Sequence, residues 1–123
     1  MSTFQHIVLE LAREPGHPFG DRQHSYHLHL PLTEDGRIDA ATWRKHRDLC
    51  RVRKFMPDTE EQRGHVVHGP GGRWTFDYTD ETARDDERGF RLEDERFVPG
   101  EYVSIRENDG VMHTFQVVSV RPE

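Results

Sequence analysis

The sequence predicts a mainly β domain of the α+β type: a small antiparallel sheet or partly open β-barrel with one short helix near residues 40–49. Three observations carry this reading. Apolar and polar residues alternate in several stretches, the period of a half-buried strand. Two segments carry the turn residues of β-hairpins. A single short segment carries a helix-start signal. At 123 residues the chain suits one domain, residues 1–123, with one modest core.

The elements follow in order. In FQHIVLELAR, residues 4–13, Ile7, Leu9 and Leu11 share one face of a strand. The next ten residues, EPGHPFGDRQ, hold two prolines and two glycines and read as a loop. Tyr26, Leu28, Leu30 and Leu32 then alternate with Ser25, His27, His29 and Pro31, giving a second strand with a dry and a wet face. Pro31 has no N–H for a ladder, so this end of the strand should lie at an edge. After the turn TEDGR, Asp39 is placed to cap a helix, with Ile38 and Trp43 at the two positions of a hydrophobic staple. Trp43 should pack that helix on the sheet. CRVRKFM is a weaker strand signal.

GHVVHGPGGRWTFDY reads as a hairpin around a type II turn at Gly69–Gly72, with Val67 opposite Trp74 and His65 opposite Phe76. Residues 79–88 should form an acidic loop, and GFRL another short strand. EYVSIRENDGVMHTFQVVSV is the clearest hairpin. A three-residue Asn108-Asp109-Gly110 loop sets Val103 opposite Phe115 and Ile105 opposite His113, which separates an apolar from a polar face. The alternation shifts at Val117-Val118, where a bulge is expected.

Composition narrows the function classes. The formal net charge is −6, which opposes broad binding to nucleic acid, because phosphate neutralisation needs a positive surface. No apolar run reaches the roughly 18 residues of a membrane span, and the start has no basic region before its short apolar stretch, so no signal peptide is expected. The single Cys50 excludes an internal disulfide. A cytoplasmic location is the default.

Charge is unevenly distributed. Residues 44–54 hold six basic side chains against one acid, and residues 80–95 hold eight acids against three arginines. Arg44, Lys45, Arg47, Arg51 and Arg53, with Lys54 beside them, are the candidate surface for an anionic partner, either an acidic protein or a phosphate-bearing ligand. The two oppositely charged segments also provide for a homo-oligomer.

HSYHLHLPL, residues 24–32, raises a different chemistry. His27 and His29 point to one side of the strand and could share an ion, with Glu34 as a third ligand. Gly20, His27, His29 and Glu34 resemble the first motif of the cupins, small metal-binding β-barrels. The resemblance implies a metal-dependent enzyme using a divalent ion, although the second cupin motif has no histidine after Pro99-Gly100. The ending VPGEYVSIRENDG…HTFQVVSV is similar to that of some small bacterial proteins, a likeness that brings no activity with it. His65 and His113 fall on apolar faces and read as core histidines. Cys50 reads as a small core residue at the helix end, and GPGGR lacks the lysine and following helix of a phosphate loop. The leading expectation is a non-catalytic binding or accessory domain with no cofactor, acting through the basic patch or a sheet edge. A cupin-like metal enzyme is the alternative.

Overall fold

The computed structural model describes residues 3–68, 74–78, 87–89, 96–107 and 110–122. Among these residues eight antiparallel strands follow one another in chain order: β1 Thr3–Leu11, β2 Asp21–Leu32, β3 Arg51–Phe55, β4 Gln62–His68, β5 Trp74–Tyr78, β6 Glu87–Gly89, β7 Tyr102–Arg106 and β8 Met112–Pro122. Each pairs with the next, and β8 returns to pair with β1, so the ladder runs all the way round a small barrel. Between β2 and β3 lie the helix α1, Ala40–Lys45, and a 3-10 turn, Arg47–Leu49. The expected mainly β architecture is therefore the observed one. Among the described residues no helix is long and apolar enough to cross a membrane.

Alternation decides what fills the barrel. Ile7, Leu9 and Leu11 of β1 and Tyr26, Leu28, Leu30 and Leu32 of β2 are buried, as expected, and meet Val52, Val66, Phe76, Val103, Ile105 and Phe115 from the other strands. Each such side chain contributes about 1.5–3 kcal/mol on leaving water. Two bulges bend the long strands around this core. One sits between Glu10 and Leu11 where β1 meets β2. The other leaves Val118 between Val117 and Ser119, the position expected from sequence.

At one end the barrel is stoppered by α1. Asp39 caps it, its carboxylate accepting from the N–H groups of Ala41 and Thr42. Trp43 is buried with its ring edge-on to Trp74, centroids 4.6 Å apart, and its indole N–H donates to the carbonyl of Val66 at 2.9 Å. Pro31 lies at this end, beyond His29, where the pairing of β2 with β3 stops.

Several expectations need correction. The helix is shorter than residues 40–49: His46 leaves helical geometry at φ −133°, and the chain tightens into the 3-10 turn. That turn delivers Cys50 into the core, where its carbonyl accepts from the N–H of Val66. Arg51 consequently stands on β3, apart from Arg44 on α1 and Arg47 in the 3-10 turn. The strand β2 begins at Asp21, inside the stretch read as loop, and residues 87 and 88 belong to β6. Pairing of β4 with β5 is displaced by one residue from the expected register, with Val66 opposite Phe76 and His65 opposite Asp77. The cause is Gly64. It faces inward, and a Cβ there would lie 2.2 Å from the carbonyl oxygen of Asp77, so only glycine admits this backbone approach. His65 is thereby turned outward. The turn at Gly69–Gly72, most of the acidic loop and the GFRL segment beyond Gly89 lie outside the described residues. The β7–β8 register, Val103 opposite Phe115 and Ile105 opposite His113, is the one apolar sorting requires.

Candidate functional site on the outer face

Cross-strand neighbours share a face, and on the outside of β1–β4 the register assembles two rows. In the first, His6 stands opposite His29, His29 opposite Arg51, and Arg51 opposite His65, with Asp77 of β5 at the end. In the second, His27 stands opposite Arg53 and Arg53 opposite Arg63. The histidines singled out in HSYHLHLPL and the arginines of the basic stretch, which looked like separate features, are thus direct neighbours.

The α1 segment extends this face. His29 Nδ1 lies 3.0 Å from the carbonyl oxygen of Leu49, and Phe4 packs against both His29 and His46. Arg44, Lys45 and Arg47 are exposed there, with the Arg47 guanidinium 5.2 Å from the centre of the Trp43 ring. Arg51 donates through Nε to the carbonyl of Asp48 at 3.2 Å. Six exposed cationic side chains (Arg44, Lys45, Arg47, Arg51, Arg53 and Arg63) lie on or beside this surface, with Asp48, Glu61 and Asp77 among its described acids. Glu61 accepts from Arg53 and, at 3.3 Å, from Arg63, and the Arg53 hydrogen bond holds its carboxyl below the ordinary value. Lys54 does not belong to the patch. It alternates inward and is 2% exposed.

The three residues proposed as metal ligands do not converge. His27 Nδ1 lies 2.8 Å from Nε2 of His6, whereas His29 turns to Leu49. Glu34 is exposed in the turn beyond Leu32, lining a cleft of about 380 Å³ with Thr33, Phe97 and Val98. Among the described residues no three His, Cys, Asp or Glu side chains are grouped to hold an ion. Partial burial, together with the neighbouring His6 and Arg53, pushes His27 below the usual histidine pKa and favours its neutral ring.

A second cluster, inside the barrel, has no counterpart among the sequence candidates. It closes the end opposite α1. Glu107, 4% exposed, accepts from Tyr26 Oη, from His24 Nε2 at 2.8 Å and from Lys54 Nζ at 3.1 Å. His113 reaches it through Nε2 at 3.5 Å and turns Nδ1 to Glu14, 3.1 Å away on the loop after β1. Burial alone would raise the Glu107 carboxyl, but hydrogen bonds from His24 and Tyr26 and the Lys54 ammonium outweigh it and hold it down at about 2. An ionised carboxylate only accepts, so the proton on His24 Nε2 points at Glu107. His113 does face inward, as its apolar strand face implied.

The fold and these two clusters define a closed antiparallel β-barrel with a cationic outer face and a charged plug within. Comparison with family models, curated proteins and solved structures returns no match.

Proposed function

We propose that the chain is a non-catalytic binding or accessory barrel that docks an acidic segment of a partner protein on the outer face of β1–β4. The observation that carries this reading is the double row in which Arg51, Arg53 and Arg63 stand beside four histidines, on a chain whose overall charge is −6. Concentrating cations on one wall of an acidic molecule orients an approaching acidic partner and speeds its encounter. Guanidinium groups suit carboxylates because their fork donates two parallel bonds. The excess negative charge elsewhere disfavours the long phosphate backbone of a nucleic acid.

Two interior features favour binding over chemistry. Burial pushes the Cys50 thiol up to about 12, with Asp48 adding to the effect, which leaves no thiolate nucleophile near neutral pH. Glu107 remains ionised far below neutrality and is a poor proton shuttle.

The test is titration of the full chain with poly-glutamate at low and at ~0.15 M salt, repeated with Arg51→Ala/Arg63→Ala. Saturable binding that weakens with salt and falls more than about tenfold in the variant is expected. Absence of binding at low salt, or binding indifferent to the substitutions, would overturn the proposal. Tighter binding to duplex DNA than to poly-glutamate would replace the partner class.

A further inference from the structure

We propose that His6 and His27 form a two-imidazole site for a tetragonal divalent metal, Cu²⁺ above all. Nothing in this inference depends on the acidic partner.

The geometry begins with the strand register. His6 of β1 stands opposite His29, and His27 of β2 stands opposite Val8, so His6 and His27 are diagonal neighbours on the outer face. Diagonal pairs are too far apart for short side chains, yet within reach of imidazoles. The rings meet with centroids 5.0 Å apart, and Nε2 of His6 lies 2.8 Å from Nδ1 of His27. Both residues are half-buried. The Phe55 ring packs edge-on against His27 at 5.0 Å and limits its rotation. Two nitrogen donors are therefore held at one spacing by the β1–β2 ladder and an aromatic wall, not by flexible loops.

That spacing brings both nitrogens within reach of one ion. Two nitrogens bound at about 2.0 Å and at right angles lie about 2.8 Å apart, whereas a tetrahedral angle separates them by about 3.3 Å. The observed separation is that of the hydrogen bond itself and is close to the spacing of two cis ligands on a square or octahedral ion. Cu²⁺ is the choice because it binds nitrogen sites most tightly in the first-row series. As a hydrogen-bonded pair, one of the two facing nitrogens carries a proton. Metal binding needs both bare, with the protons on His6 Nδ1 and His27 Nε2. That exchange moves one ring proton to the ring's other nitrogen. Water would fill the remaining positions. Arg53 stands directly opposite His27, and its charge opposes a metal ion, but Glu61 is bonded to that guanidinium and offsets it.

The test uses the full-length, tag-free chain titrated with Cu²⁺ by calorimetry, with electron paramagnetic resonance on the loaded protein. The expected result is one tight Cu²⁺ per chain and a spectrum showing two coupled nitrogens. His6→Gln and His27→Gln should each weaken binding more than about tenfold, with unchanged circular dichroism, while His29→Gln and His65→Gln leave it intact. Ni²⁺ and Zn²⁺ should bind more weakly. A parent that takes up no Cu²⁺, uptake that survives the His6→Gln/His27→Gln double variant, or equal loss in His29→Gln would each overturn the site.

Discussion

Arg53 and Lys54 are adjacent on β3, and each is paired with a glutamate, yet the two pairs belong to different physical regimes. Arg53 bonds Glu61 on the outside, where the arginine side chain is 48% exposed. Lys54 bonds Glu107 inside the barrel, where both side chains are almost wholly removed from water. Strand alternation alone assigns the two cations to opposite faces. Water screens the outer pair, so little stability rests on it. The inner pair has no such alternative, so it is fixed by His24, Tyr26 and His113 and serves the fold. Charge in the sequence thus says little about role until the face is known.

The largest effect should come from splitting the inner pair. Lys54→Ala or Glu107→Ala strands a buried charge and should cost about 3–5 kcal/mol in urea unfolding. A loss below about 1 kcal/mol would place the cluster in contact with solvent and erase the contrast.

Acid should separate the pairs next. Glu107 has a lowered pKa in the folded state, so its contribution is complete above the ordinary glutamate value of 4.5 and fades as pH falls toward about 2. Stability measured across that window should drop in the parent and flatten in Glu107→Gln, whereas Glu61→Gln should leave the parent profile nearly unchanged. Tyr26→Phe sharpens the picture further. It removes one of the donors to a buried carboxylate and should cost about 1.5–3 kcal/mol by the same assay. The smallest change belongs outside: Arg53→Ala should stay within about 0–1 kcal/mol while weakening poly-glutamate binding.

Much of the fold was legible because it rests on local periodicity. Tyr26 to Leu32, the Asp39 cap, the staple of Ile38 and Trp43, and the β7–β8 register each follow from a few neighbouring residues. The inner cluster was within reach by the same rule, since His24 continues the inward series of Tyr26 and Leu28, Lys54 that of Val52, Glu107 that of Ile105, and His113 that of Phe115. What the rule does not supply is that these four strand ends meet, which depends on closure between residues distant in sequence. Glu14 comes from a loop and carries no periodic signal. The partnership of His6 with His27 depends on the register across the irregular β1–β2 connection, which no turn type specifies. In β4, Gly64 offers no side chain by which apolar sorting could reveal its face, so the β4–β5 register is not legible from local periodicity.

The pairing of β8 with β1 also bears on how the molecule is made. A ribosome must add about a hundred residues after Leu11 before Met112, the first residue of β8, exists. At ~5–20 residues per second, β1 waits roughly 5–20 s with one row of amides and carbonyls unanswered. During that interval the nascent chain carries the exposed strand edge that the finished barrel abolishes. The open edge therefore belongs to the growing chain, and it closes only when the last strand arrives.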